Sequence, residues 1–151
     1  MQGNELLLLL GKAVSNGQAF ELVTCLVLGK CLGLPIETDH RAAILVGQRL
    51  STATRLDLVS ELAGVVDIDL DQDQLRCCVA SARNATAERN RVVHWAWHGD
   101  PASGEFMGVI TKRGRAEPRD KQEIQAAITA TRIAIEDGYR LLGLEVVKPE
   151  P

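Results

Sequence analysis

The chain has 151 residues, of which 46% are hydrophobic and 25% are charged, and its formal net charge is -3. This composition is typical of one soluble globular domain and argues against a disordered chain or an integral membrane protein. The slightly acidic balance also argues against a protein whose whole surface grips nucleic acid, although it leaves room for a local basic strip.

The ends and the cysteines of the chain predict its compartment. The N-terminal run ELLLLLGK is too short for a signal peptide, and Glu5 stands where a positive charge is expected. No apolar segment is expected to reach the length that spans a bilayer, so the sequence predicts a cytoplasmic protein with no membrane partner. The four cysteines lack CxxC spacing and are predicted to be reduced, small buried side chains.

Hydrophobic periodicity predicts four long helices. The first runs from about residue 4 to residue 32, because apolar residues recur every three or four positions until Gly33 ends the pattern. The second begins near residue 38 and reaches about residue 64. Ser51 and Thr52 can split or bend this second helix, since their hydroxyl groups compete for backbone partners.

Two further helices follow the acidic run DIDLDQDQ, whose aspartates suit a helix N-terminus. The third helix is predicted from about residue 72 to residue 97, and the last from about residue 119 to residue 142, where Gly143 closes it. Between them, glycine and proline break the helical pattern, and FMGVIT and RAE are predicted to pair as a hairpin around KRG.

These elements predict an all-α fold, an antiparallel up-down four-helix bundle with a small hairpin or loop between the last two helices. One domain is expected over residues 1–145. Residues 146–151 are expected to form a flexible C-terminal tail.

Projection of the third helix at about 100° per residue separates a core face from a basic flank. The predicted core face contains Leu75, Val79, Ala82, Thr86, Val93 and Trp97. The predicted basic flank contains Arg76, Arg83, Asn90, Arg91, His94 and His98. Arg89 projects beside the core face, where a guanidinium needs a carboxylate partner. Glu21, at the margin of the apolar stripe of the first helix, is the predicted partner, with Asp57 and Glu61 as second choices.

The segment RNRVVH, residues 89–94, matches the R-N-x-x-x-H signature of HEPN domains, the all-α higher-eukaryote and prokaryote nucleotide-binding superfamily. The motif lies near the end of the third helix of a predicted four-helix bundle, as it does in that superfamily. FE in the first helix and LSTATRLDLVSEL in the second also match. The chain resembles the superfamily over roughly residues 5–142, and most of all its small bacterial stand-alone members.

The resemblance implies a metal-independent endoribonuclease that works as a homodimer without a cofactor, with the motif residues of both protomers facing one cleft. His94 would transfer protons at the ribose 2′-hydroxyl or the leaving oxygen. Arg89 would hold the phosphate, and Asn90 would orient a partner by hydrogen bonding. A toxin or defence role, and with it an antitoxin partner, is part of the same expectation.

Arg83, Arg91 and His98 on the basic flank are expected to bind the RNA substrate. His94 and His98 have the spacing of two metal ligands on one helix, but no glutamate follows His94 as in H-E-x-x-H, so no metal is predicted. Two alternatives stay open: a non-catalytic dimeric interaction module in which Arg89 is a structural clamp, and nucleotide or RNA binding without cleavage.

Overall fold

The computed structural model describes residues 1–65, 69–93, 96–100, 102–112 and 115–145, with the backbone alone for 93, 96–98, 106–112 and 115–119. Most of this chain is helical: α1 (Gly3–Cys31), α2 (Arg41–Gly47), α3 (Thr52–Val65), α4 (Gln72–Val93) and α5 (Lys121–Leu141). A small antiparallel sheet follows α4 in sequence, with strands β1 (Ala96–Gly99), β2 (Phe106–Lys112) and β3 (Arg115–Arg119). The predicted helical class is therefore confirmed.

The first helix is continuous, as its periodicity predicts. Gly33 follows it with a φ of 72°, and its amide donates to the carbonyl of Lys30 at 3.0 Å. The amide of Leu34 donates to the carbonyl of Gly29 at 2.9 Å, so the last turn is closed by the glycine-dependent cap that the sequence predicts.

The length of α1 corrects one expectation. An 18-residue window of this 29-residue helix has a mean hydropathy of 1.2, so α1 is long and apolar enough to span a membrane by length and composition. Of that window, 28% is buried inside the fold. Core helices of soluble proteins and signal sequences have the same length and hydropathy, so these two properties of α1 do not by themselves indicate a membrane span. The cytoplasmic location stays a prediction.

The second predicted helix is two helices, split at the serine and threonine that the sequence singles out. Ser51 Oγ accepts a hydrogen bond from the backbone N–H of Thr54 at 3.1 Å, which caps the start of α3. Before the split, α2 packs back along α1, with Gly47 against Cys25 so closely that an added Cβ would lie 2.9 Å from the Cys25 Cα. The chain therefore reverses before α3 begins.

This split changes the predicted order of helix directions. Contacts of α1 with α5 progress together along both helices, from Glu5–Lys121 to Asn16–Ile128, so these two helices run parallel. Contacts of α3 with α1 also advance together, while α4 runs opposite to α5. Because α2 supplies one reversal by itself, α1, α3 and α5 point one way and α4 points the other. The four long helices are thus not a strictly alternating bundle.

The core face of α4 differs from the predicted one. The buried residues of this helix are Leu75, Cys78, Ala82, Ala85 and Val92. Thr86 is only half-buried, and α4 ends at Val93, so Trp97 belongs to β1 and not to a helix face. The predicted extension to residue 97 is wrong because residues 96–99 pair with β2, a long-range contact that helical periodicity does not contain.

The predicted hairpin is present as β2 and β3, which pair from Gly108↔Arg119 to Lys112↔Arg115. Two residues of the predicted KRG turn, Arg113 and Gly114, lie outside the described residues, as does the predicted tail 146–151. Asp120 then caps α5 by accepting from the backbone N–H of Gln122 at 2.9 Å. Among the side chains that the structure describes, three clusters of buried apolar residues lie between the helices.

Candidate functional site

Arg89 of α4 forms an ion pair with Glu21 of α1, the contact that the sequence predicts: Arg89 Nη1 donates to Glu21 Oε1. Ala85 and Val92 are buried on the same face of α4, so the helix directs Arg89 toward the interior while leaving its side chain 33% exposed. Gly17 of α1 faces it, and a Cβ there would lie in ordinary van der Waals contact, 3.7 Å from Arg89 Nε.

A second guanidinium shares the same carboxylate. Arg55 of α3 donates through Nη2 to Glu21 Oε2, and the hydroxyl of Thr52 donates to Glu21 Oε1 at 2.8 Å. Arg55 also donates through Nη1 to the carbonyl oxygens of Gly47 at 2.8 Å and Leu50 at 3.1 Å. Arg55 therefore ties the end of α2 and the start of α3 to the acid of α1. We call Glu21, Thr52, Arg55 and Arg89 the clamp.

The clamp carries a net positive charge, because it holds two arginines and one glutamate, and one of the arginines is buried. Arg55 is only 2% exposed, and its burial lowers its pKa, with the positive charge of Arg89 lowering it further. Its Nε is buried without a hydrogen-bond partner in the described chain. One carboxylate thus faces two guanidinium groups, so the clamp attracts a further anion at its exposed side, where Arg89 lies.

That exposed side opens into a concave surface of about 650 Å³ between α1, the α2–α3 turn and α4. Its polar lining includes Gln18, Gln48 and Asn90 beside the clamp, and we call it the polar groove. A second hollow of about 440 Å³ lies on the other side of Arg89 and is mainly apolar, with Leu10, Ala13, Val14 and Val92 among its lining residues. Arg89 and Glu21 line both, so the ion pair forms the wall between them.

The arginines of the predicted basic flank are paired with acids. Arg83 contacts Asp57 and Arg91 contacts Glu88, both at 2.8 Å, and the arginine side chains of both pairs are exposed. Asp57 is therefore not the partner of Arg89, which corrects that second choice. Exposed pairs of this kind are weak, but they make the flank less basic than its sequence suggests.

Neither of the two predicted histidines is found on the described part of α4. His94 lies outside the described residues, directly after the last residue of α4. His98 lies in β1, opposite Met107 of β2, so the expectation that it continues the flank of the helix is wrong. The structure therefore brings Arg89 and Asn90 to one groove, and the position of the His94 imidazole stays a prediction. Within the described ranges, no cluster of three metal-ligating side chains is found.

Arg55 and Thr52 were missed by the sequence reasoning. They lie three residues apart on α3, so both point to the same side of the helix. The available signal is that Arg55 directly precedes Leu56, which is buried, and follows a turn whose carbonyl groups need donors. An arginine at the margin of an apolar stripe, as for Arg89, indicates a buried partner.

Comparison with known proteins adds no relative: no family model, no curated protein and no solved structure matches the chain. The HEPN resemblance therefore stays a prediction from the R-N-x-x-x-H motif and the sequence around it.

Proposed function

We propose that the protein is a metal-independent endoribonuclease of the HEPN type that acts as a homodimer, as a toxin or defence component restrained by an antitoxin. One observation carries the proposal. The first five residues of the R-N-x-x-x-H motif, 89–93, are the last residues of α4, and Arg89 and Asn90 both line the polar groove. An arginine and an amide beside a solvent-open groove are suited to bind and orient a phosphodiester.

In the proposed reaction Arg89 binds the phosphate that is attacked. Among described residues it donates only to Glu21, and only through Nη1, so its remaining N–H groups stay available to phosphate oxygens. The imidazole of His94 accepts the proton of the ribose 2′-hydroxyl as that oxygen attacks phosphorus, or returns a proton to the leaving 5′-oxygen. Asn90 orients the reacting groups by hydrogen bonding, and Arg83 and Arg91 contact flanking phosphates by exchanging their acidic partners.

The homodimer in this proposal is supported by the apolar hollow next to Arg89. Leu7 and Val14 of α1 are 70% and 62% exposed, and Val14 lines the hollow. Contiguous exposed apolar surface marks interaction sites, and the apolar lining of this hollow together with the exposed residues of α1 is suited to cover by a second copy. A second copy seated there lies beside the end of α4, so the motifs of both protomers share one cleft.

The competing proposal is a non-catalytic dimeric module. It is favoured by the engagement of Arg89 in an ion pair within its own chain, which is what a structural clamp requires. Nucleotide or RNA binding without cleavage is a third, separate alternative. Only the enzyme proposal requires that a histidine of the motif carry the activity.

Incubation of the purified protein with RNA in EDTA separates these proposals. We expect wild-type protein to cleave RNA, His94→Ala to be slower by a factor of about 100 or more, and His40→Ala to match wild type. His40 is exposed at the start of α2 and serves as the matched control. RNA left equally intact by wild type and His94→Ala, in protein freed of any bound inhibitor, contradicts the enzyme proposal.

A further inference from the structure

Three carboxamide side chains line the polar groove without a partner of their own. They belong to Gln18 of α1, Gln48 directly after α2, and Asn90 of α4. All three are exposed, and none of them makes a side-chain hydrogen bond to the described part of the chain. Each carboxamide offers an acceptor oxygen next to two donor hydrogens, so the groove presents paired donor and acceptor groups to solvent.

The charged groups of the groove are already committed to one another. Glu21 accepts from Arg55, Arg89 and Thr52, so both of its oxygens are occupied. Arg55 is buried, so within the described lining Arg89 is the cation that keeps exposed donors next to the groove. A ligand in the groove therefore meets one cation at the clamp and neutral amides elsewhere.

This division matches the two parts of a nucleotide. A guanidinium binds phosphate, and the carboxamide of Asn or Gln is suited to a bidentate contact with N6 and N7 of adenine. Leu22, Ile44 and Leu50 supply an aliphatic wall for the faces of a base. The volume of about 650 Å³ is in the range of sites for small ligands.

We infer that the polar groove is a base-recognition site for one unpaired adenine nucleotide of the RNA, with its base bound by Gln18 and Gln48 and its phosphate at Arg89. The inference rests on the proposed function for its substrate class and adds the residues that determine specificity. It predicts that cleavage occurs next to unpaired adenines and that these two glutamines set the preference.

Titration of the wild-type protein with AMP, GMP, CMP, UMP and inorganic phosphate, followed by NMR chemical shifts, tests binding without requiring cleavage. We expect AMP to bind about tenfold or more tightly than the other three nucleotides, the effect of one bidentate contact to a base. Inorganic phosphate binds more weakly than AMP but at the same site. Equal affinities for the four nucleotides overturn the inference.

Two variants and one control assign the preference to residues. Gln48→Ala and Gln18→Ala each reduce the affinity for AMP toward that for UMP and leave the affinity for phosphate unchanged. Gln125→Ala, an exposed glutamine on α5, behaves as wild type. Because all three positions are exposed, the variants retain the fold, and matching unfolding curves verify this. A preference for AMP that survives in both groove variants contradicts the assignment.

Failure of this inference is distinguishable from failure of the proposed function. Selective binding of AMP by a protein that leaves RNA intact in EDTA removes the nuclease and keeps the adenine site. Cleavage of RNA with no preference for unpaired adenine keeps the nuclease and removes the adenine site.

Discussion

Arg55 and Arg89, from different helices, donate to opposite oxygens of the same carboxylate, that of Glu21. Arg55 is buried and Arg89 is one-third exposed, so the two ends of this contact have different consequences. The inner arginine fixes the carboxylate, and the carboxylate fixes the outer arginine at the edge of the polar groove. A structural clamp and a phosphate-binding group are therefore compatible in one residue, Arg89.

Replacement of Glu21 by glutamine tests the buried contact between Arg55 and Glu21. Glu21→Gln leaves the Arg55 guanidinium buried without a countercharge, so we expect the free energy of unfolding to fall by about 3 kcal/mol in chemical denaturation. Asp57→Asn, which removes an exposed partner of Arg83, is the matched control and should cost less than about 1 kcal/mol. Equal losses in the two variants contradict a buried charge at Arg55.

Two glycines that differ in packing should respond oppositely in stability to replacement by alanine: Gly47, where α2 contacts α1, and Gly11, which has open space around it. An added Cβ at Gly47 meets Cys25, including its backbone, so Gly47→Ala should lower the free energy of unfolding by about 1 to 3 kcal/mol. Gly11 has no neighbour within 4 Å of its added Cβ and lies inside α1, so Gly11→Ala should stabilise by about 0.5 to 1 kcal/mol. Urea unfolding of both variants checks the sign; a gain at Gly47 is incompatible with this packing.

The cysteines differ sharply in accessibility. Cys77 is exposed, whereas Cys25, Cys31 and Cys78 are buried. Burial raises the pKa of Cys31 to about 11 and that of Cys78 to about 12, so these thiols stay protonated and unreactive near pH 8. A thiol-specific chromogenic disulfide should modify one cysteine rapidly in the folded protein and four in denaturant. Rapid modification of any thiol in the folded Cys77→Ser variant contradicts the described core.

The same shifts set a pH dependence of stability. Because the folded-state pKa values of Cys31 and Cys78 lie above the ordinary 9.0, the folded state holds these protons more tightly than the unfolded state does. Their contribution is complete below about pH 9 and is lost as the pH rises toward 11 and 12. A Cys31→Ala, Cys78→Ala double variant should show a smaller alkaline loss, measured by urea unfolding across this range.

The proposed dimer predicts that a charge at one exposed apolar position prevents dimerisation, whereas a charge at another does not. Val14→Glu places a charge in the hollow beside Arg89 and should convert dimer to monomer in sedimentation equilibrium. Leu45→Glu, at a residue of α2 that is 64% exposed, should leave the dimer intact. A wild-type protein that is monomeric at high concentration, or dissociation by both variants alike, overturns this interface.

Local signals were sufficient for much of the fold. Gly33 ends α1, Ser51 caps α3, and Gly143 follows α5 with a φ of 66°, each for a reason contained within a few residues of sequence. The Arg89–Glu21 pair could also be predicted from the sequence, because a guanidinium beside a core face requires an acid on a neighbouring helix.

Long-range contacts could not be predicted from the sequence in the same way. The pairing of β1 with β2 ends the helix at Val93, four residues before the predicted end, although the local pattern continues. Helix directions depend on the reversal at α2, and the role of Arg55 depends on the approach of three helices. Periodicity within one element does not contain this information.

The central claim is that Arg89 serves a site for RNA cleavage in addition to the clamp, and parallel measurement of cleavage and stability for Arg89→Ala tests it most directly. With RNA in EDTA, we predict that Arg89→Ala is slower than wild type by a factor of about 100 or more. Its free energy of unfolding should fall by only about 1 kcal/mol, because Glu21 keeps Arg55 and Thr52. Arg83→Ala, the matched control, should slow cleavage less than about tenfold. Cleavage by Arg89→Ala at the rate of Arg83→Ala would contradict the account, as would RNA left intact by the wild-type protein.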